Sequence, residues 1–244
     1  FNEKREGIYM LREYLPGIVG LESNPSANVG KVTSEGFDGH FTFRQKLGAV
    51  GLTIRSNITY SKNEIVDRDE ENNYYWYKMQ KGHRVNQARG LISLGLFKDY
   101  DDIRNSPVQD FDGYKVMPGD IKYKDLNGDG VIDDNDQTYY SGIYPNNPQL
   151  VYGFGLNVQY KGIYAGVFFQ GVGRTSVNLK ANTSYFVPFA NGKDQSSARV
   201  QAADHWSASD PNNMNVLYPR LHTNEYSNNT LNSTSVSYTH LRAH

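Results

Sequence analysis

The chain has 244 residues, 38% of them hydrophobic and 13% aromatic, with 19 tyrosines, no cysteine and a formal net charge of −1. The lack of cysteine excludes a disulfide scaffold, a thiolate zinc site and a cysteine nucleophile, and the dispersed charge offers no basic stripe for nucleic acid. A transmembrane helix is also excluded, because it needs a run of about 18 apolar residues, whereas transmembrane strands need only about 9–11. The chain starts at Phe1 rather than at methionine, and we expect it to be a fragment.

A β-hairpin is the first element that the sequence predicts. Residues 37–45 alternate aromatic or glycine positions with polar ones, which indicates a half-buried strand. Gly48 and Gly51 mark a turn, and residues 52–61 then alternate in the same way.

An acid-rich segment, residues 64–73, follows the hairpin and is interpreted as a solvated loop. It leads into four consecutive aromatic residues, Tyr74, Tyr75, Trp76 and Tyr77. Their rings are suited to stacking on sugars or on a partner protein. The alternative is a strand in an aromatic girdle at a membrane interface, where successive side chains point to opposite faces.

Residues 125–136 form a calcium-type loop, in which oxygen-bearing groups recur at alternate positions around Gly130. The candidate ligands are the side chains of Asp125, Asn127, Asp129, Asp133 and Asp136 and the carbonyl of Val131. The flanking sequence favours strands and turns over helices, because residues 118–124 hold a Pro-Gly breaker and then alternate. We expect a structural calcium ion that stiffens the loop. The alternative is a solvated turn, which the same residue types also favour.

A second hairpin is predicted over residues 152–170, with its turn at Lys161 and Gly162. The apolar face of these strands would meet a second sheet in a soluble sandwich, or lipid in the wall of a barrel. Both hairpin turns are tight, whereas the connection between the hairpins is long. Short turns at one end and long loops at the other favour an antiparallel transmembrane β-barrel.

Several segments, in this order along the chain, resemble the C-terminal barrel of SusC/RagA-type TonB-dependent transporters. The most specific is the run 118–132 followed by Asp136 and Pro145. The others are 4–10, 16–17, 28–32, 34–38, 95–97, 103, 106–107, 152–154, 168–171, Trp206 and 218–221.

This resemblance implies that residues 1–234 are part of an all-β barrel of about 22 strands, which this chain is too short to close. It implies active import of oligosaccharides or peptides across the outer membrane of a Gram-negative, Bacteroidota-like bacterium, with a SusD-like surface lipoprotein as partner. Coupling to the TonB complex would require an N-terminal plug, which has no counterpart here. We expect residues 235–244 to be a foreign tail.

Catalysis is not expected, because the chain lacks a His-Glu-x-x-His segment, a Gly-x-Ser-x-Gly elbow and a phosphate-binding loop. The alternative to a transporter is a secreted, calcium-stabilised β-sandwich that binds carbohydrate.

Overall fold

The computed structural model describes residues 1–12, 23–70, 75–111, 113–140, 147–178, 188–189, 198–222, 227–231, 233–234 and 237–238. Among these residues, none of the helices combines the length and the apolar character that a membrane crossing requires. The structure is mostly antiparallel sheet, as predicted.

The strands and helices are as follows. In chain order the strands are β1 (Asn2–Leu11), β2 (Ser26–Leu47), β3 (Val50–Asp67), β4 (Arg89–Gly90), β5 (Ser93–Leu96), β6 (Asp110–Phe111), β7 (Tyr114–Lys115), β8 (Ile121–Tyr123), β9 (Thr138–Tyr139), β10 (Leu150–Tyr160), β11 (Ile163–Gly173), β12 (Val177–Asn178) and β13 (Ser237–Tyr238). The α-helices are α1 (Tyr100–Arg104) and α2 (Ser227–Thr230), and short 3-10 helices occupy Trp76–Lys78, Asp134–Asp136 and Val200–Ala203.

Five long strands form one antiparallel sheet in the order β1-β2-β3-β10-β11. The pairs β2–β3 and β10–β11 are the two predicted hairpins, and both are confirmed. β3 and β10 join them side by side. The sheet has two open edges, β1 and β11, so the described chain forms an open sheet and not a closed barrel.

The alternation of side chains runs in phase across four strands, because directly opposed residues share a face. Phe41 is opposite Ser56, Ser56 is opposite Phe154, and Phe154 is opposite Phe169. We call this side the apolar face; it comprises Phe37, Phe41, Phe43, Leu52, Ile54, Ile58, Tyr60, Tyr152, Phe154, Leu156, Val158, Tyr160, Ile163, Val167 and Phe169. The opposite, polar face comprises Asp38, His40, Thr42, Arg44, Lys46, Thr53, Arg55, Asn57, Thr59, Asn157, Gln159 and Gln170, with Val151, Tyr164, Phe168 and Val172 as apolar exceptions.

The apolar face is uncovered, which corrects the expectation that residues 37–45 are half-buried. Phe41 is 57% exposed and Phe169 is 62% exposed. The physical reason is that no second layer packs on this side of the sheet among the described residues. The aromatic side chains therefore face the surroundings of the molecule.

The apolar face ends in an aromatic and charged border. The rings of Phe37 and Tyr60 lie 5.7 Å apart, and Arg174 places its guanidinium 5.2 Å from the centre of the Tyr60 ring. Beyond this border β2 and β3 continue as a charged ladder, in which Lys62 forms an ion pair with Glu35 at 3.1 Å. The sheet thus changes from apolar to charged along its strands.

The segment between β3 and β10, residues 68–149, is called here the insert, and it holds most of the buried core. Its short ladders pair β4 with β9, β5 with β8 and β6 with β7. The buried cluster consists of Leu91, Ile121, Tyr123 and Ile132. Phe97 is also buried. The predicted strand before the calcium-type loop is confirmed as β8.

Of the predicted foreign tail, only Ser237 and Tyr238 lie among the described residues, where β13 pairs with β12. The origin of residues 235–244 stays a prediction.

Candidate functional site

The calcium-type loop is shaped by hydrogen bonds from its own backbone to its acidic side chains. Gly128 and Gly130 donate their N–H groups to the Asp125 carboxylate, at 2.6 and 2.9 Å. Both glycines have positive φ, +77° and +85°, which favours glycine over residues with a side chain. The side-chain oxygens of Asn127 and Asp129 each accept the N–H group two residues further along. These contacts build the tight turns that the sequence predicts.

Asp136 closes the loop. Its side chain is fully buried and accepts N–H groups from Leu126, at 2.7 Å, and from Asp133, at 2.9 Å. Asp133 in turn accepts the N–H group of Asn135, so the two aspartates form a reciprocal cap on the short helix Asp134–Asp136. The end of the loop is therefore hydrogen-bonded to its beginning.

The donor chemistry of the loop suits calcium, since carboxylate and carbonyl oxygens are its usual ligands. Each carboxylate oxygen has two lone pairs, so accepting one N–H group leaves capacity for a cation. Across the described residues, however, no three Asp, Glu or His side chains converge in a way that would hold a metal ion. The loop therefore has suitable ligand types but not a preformed cluster, and calcium binding stays a prediction.

The aromatic run packs on this loop. Tyr77 donates its hydroxyl to the carbonyl of Asn135 at 2.8 Å, and Asn127 donates to the Tyr75 hydroxyl at 3.5 Å. Burial, followed by the nearby charge of Asp136, raises the pKa of Tyr77 to about 12, so its hydroxyl stays a donor. The aromatic run and the loop, about 50 residues apart in sequence, form one surface.

The expectation of a strand in the aromatic run is wrong, because Trp76–Lys78 is a 3-10 helix. Consecutive residues therefore do not alternate between two faces. Trp76 is 79% exposed, whereas Tyr75 and Tyr77 are partly buried against the loop. Tyr74 lies outside the described residues.

A buried ion pair, which the sequence analysis did not predict, holds the insert to the later part of the chain. Asp120 is 0% exposed and accepts two hydrogen bonds from Arg220, at 3.0 and 2.9 Å. His222 lies 3.2 Å from the same carboxylate, and Asn229 donates to it at 3.1 Å. Burial raises the pKa of Asp120, but the hydrogen bonds from His222 and Arg220 outweigh burial and hold the pKa below its usual value.

Gly119, next to this ion pair, has a close neighbour in space. Its φ is +87°, and a Cβ atom at this position would lie 2.2 Å from Cε3 of Trp206. Its carbonyl also accepts the N–H group of Arg220 at 2.8 Å. Three of the segments that carry the family resemblance, 118–132, Trp206 and 218–221, thus meet at one point.

The polar face of the main sheet bounds a cavity of about 870 Å³ near the two hairpin turns. Arg44, Arg55, Asn157 and Gly162 are among the residues that line it.

No family model matches this chain. Over 131 residues, 53% of the chain, it is 28% identical to TonB-dependent receptor P26 of Formosa agariphila, and the match spans 12% of that receptor. Two solved structures share its fold. The RagAB peptide transporter has a TM-score of 0.57 and 17% identity and covers 94% of the chain, and the open-open state of the RagAB peptide importer has a TM-score of 0.61 and 13% identity and covers 98%.

The chain spans 24% of each of these transporter chains. The resemblance to SusC/RagA-type TonB-dependent transporters is confirmed, in sequence by the receptor and in fold by the two structures. The matched proteins are a receptor and transporters rather than enzymes, in agreement with the prediction that this chain is not an enzyme.

Proposed function

We propose that the chain forms part of the wall of an outer-membrane β-barrel that imports nutrients in a TonB-dependent manner. The observation that carries this proposal is the segregation of apolar and polar side chains onto opposite faces of one sheet, whose apolar face is exposed. In a soluble sandwich the apolar face would be covered by a second sheet. Such a cover is absent from the part of the chain that the structure describes, so the sandwich is the weaker account.

The height of the apolar face fits a bilayer. Between the border row at Tyr60 and the turn row at Val50, β3 runs ten residues, opposite Leu150–Tyr160 of β10. At about 3.3 Å per residue this is roughly 33 Å along the strand. A tilt of about 35–45° reduces it to roughly 23–27 Å, against an apolar band of about 25 Å in outer-membrane barrels.

The lengths of the connections between strands indicate which end of the sheet is periplasmic and which is extracellular. The hairpin turns at Gly48 and Gly162 are tight, and the insert leaves the opposite end of the sheet. Outer-membrane barrels have short turns on the periplasmic side and long loops outside. We therefore place the insert, with its calcium-type loop and the exposed Trp76, on the extracellular side.

The partner and the substrate are proposed from the same resemblance. We infer a SusD-like surface lipoprotein that contacts the extracellular side, and oligosaccharides or peptides as the imported nutrient. The partly or fully exposed rings of Tyr75 and Trp76 are suited to contact either the lipoprotein or a sugar. Energy would reach the barrel from the TonB complex through a plug elsewhere in the whole protein.

Calcium is proposed as a structural ion of the loop, held by Asp125, Asn127, Asp129, Asp133 and Asp136 with the carbonyl of Val131. Terbium titration of the full-length protein tests this, because aromatic neighbours such as Tyr75 and Tyr77 would sensitise its luminescence. We expect a saturable signal that calcium displaces and that Asp125→Asn combined with Asp129→Asn removes. A signal that is unchanged in the double variant would refute the site.

The transporter proposal is tested on the full-length protein expressed in a Gram-negative host. We expect it to fractionate with the outer membrane and to migrate faster in gels when unheated than when heated, as a closed barrel does. A protein that stays in the aqueous phase without detergent and migrates identically in both conditions would contradict the proposal.

A further inference from the structure

The cavity on the polar face carries an unusual charge. Four cationic residues line it, namely Arg44, Lys46, Arg55 and Lys161, and we call it the basic cavity. Its other lining residues are neutral, and neither Asp nor Glu occurs among them in the described part of the chain.

The sheet register holds these cations close together. Arg44 is opposite Thr53, and Thr42 is opposite Arg55, so the two arginines are diagonal neighbours on the polar face. Diagonal neighbours in an antiparallel sheet lie about 7–8 Å apart. Both arginines are exposed, and neither is paired with a carboxylate among the described residues. Like charges at this spacing repel, and a bound anion would relieve the repulsion.

The clustering is not a reflection of average composition, since the whole chain has a net charge of −1. Acidic residues instead gather towards the insert. The nearest on the polar face of β2 is Asp38, which accepts a hydrogen bond from Thr59 at 2.7 Å. It lies six residues from Arg44 along β2, roughly 20 Å away. The interior wall is therefore positive at the turn end.

We propose that the basic cavity is a binding subsite for oligomers rich in carboxylate groups. This inference rests on the proposed function, because it assigns a substrate class to the inner wall of the barrel. Guanidinium groups bind carboxylates through paired hydrogen bonds, and Arg44 and Arg55 present two of them side by side. Thr53, Asn157 and Gln159 line the same cavity and supply neutral donors. The cavity volume lies within the range of small-molecule sites, about 300–1,000 Å³.

Carboxylates occur in acidic peptides and in uronic-acid oligosaccharides, so the test uses both. Fluorescently labelled hexaglutamate, hexagalacturonate and hexaglutamine are titrated into the full-length protein in detergent. At least one acidic probe is expected to bind about tenfold or more tightly than hexaglutamine, and to weaken as salt is added. The acidic probe that binds identifies the source of the carboxylates.

The variant that tests the site is Arg44→Gln with Arg55→Gln, expected to weaken binding of the acidic probe by about tenfold or more. Lys46→Gln with Lys161→Gln is expected to weaken it in the same direction. Arg44→Lys with Arg55→Lys keeps the charge but loses the paired hydrogen bonds, and is expected to weaken binding less than Arg44→Gln with Arg55→Gln does. Lys4→Gln with Lys98→Gln removes two charges elsewhere and is the matched control.

The proposal is overturned if neither acidic probe binds. This includes the case in which an acidic segment of the same polypeptide covers the cavity. Equal weakening by Arg44→Gln/Arg55→Gln and by the control pair overturns it as well. The difference in migration between heated and unheated samples is recorded for every preparation. A barrel that assembles but does not discriminate between the probes loses only this inference, whereas failure to assemble removes the proposed function.

Discussion

Replacement of Phe154 by arginine tests the assignment of the two sheet faces. Phe154 is opposite Ser56 on one side and Phe169 on the other, and it is 46% exposed. It lies four residues from Leu150 and six from Tyr160 along β10, near the middle of the apolar face. In the proposed barrel, the substitution therefore puts a charge close to the bilayer midplane.

The expected loss in the free energy of unfolding is about 2–4 kcal/mol, the cost of arginine on the lipid face at the midplane. The matched control is Asn57→Arg. Asn57 occupies the next row, opposite Gly153, but points to the polar face and is exposed. Because this arginine reaches an aqueous interior, we expect a change within about 0.5 kcal/mol.

Both variants of the full-length protein are to be refolded into phospholipid vesicles and titrated with urea. The folded fraction is measured as the fast-migrating band of unheated gel samples. Similar losses for the two variants, or a larger loss for Asn57→Arg, would refute the assignment of faces and with it the barrel wall.

Three further predictions concern the insert, each measured in the full-length protein. Gly119→Ala should make the insert more sensitive to protease, because the new Cβ would collide with Trp206. Gly128→Ala, also at positive φ but with open space around its Cβ, should cost only about 1 kcal/mol of stability. Equal effects of the two variants would contradict the close contact between Gly119 and Trp206. Because the pKa of Asp120 is lowered in the folded protein, its contribution to stability is complete above about pH 4 and is lost as the pH falls through the folded-state pKa. Sensitivity of the insert to pepsin should therefore rise below about pH 4. In Asp120→Asn this sensitivity should depend less on pH. Tyr77→Phe should destabilise the contact with the calcium-type loop by about 1 kcal/mol, detectable as faster hydrogen exchange there but not in the sheet.

The parts of the long strands near the hairpin turns were predictable from sequence because their signal is local. Residues 64–67, which were expected to begin a loop, instead continue β3 to Asp67. Alternation with a period of two, interrupted at Gly48 and Gly162, identifies each hairpin and both faces of each strand. What the sequence does not contain is the exposure of the apolar face. Whether Phe41 is covered depends on the presence of a second layer, and a half-buried strand and a lipid-facing strand have the same pattern.

The contacts within and around the insert were not predictable, because they join distant residues without a repeating pattern. Asp120 and Arg220 are 100 positions apart. Tyr77 bonds to a backbone carbonyl, which any residue at position 135 would supply. The run of aromatics suggested a strand, yet its backbone turns into a 3-10 helix where it meets the loop. Local composition identified the candidate residues but not their neighbours.

The insert joins two neighbouring strands of the sheet, because it follows β3 and precedes β10, and these two strands pair directly. Connecting segments on the surface tolerate exchange better than the strands that they connect. The wall and the insert can therefore diverge at different rates during evolution. In the proposed barrel, a chimera that carries a relative's insert between β3 and β10 would combine a new outer surface with an unaltered membrane wall.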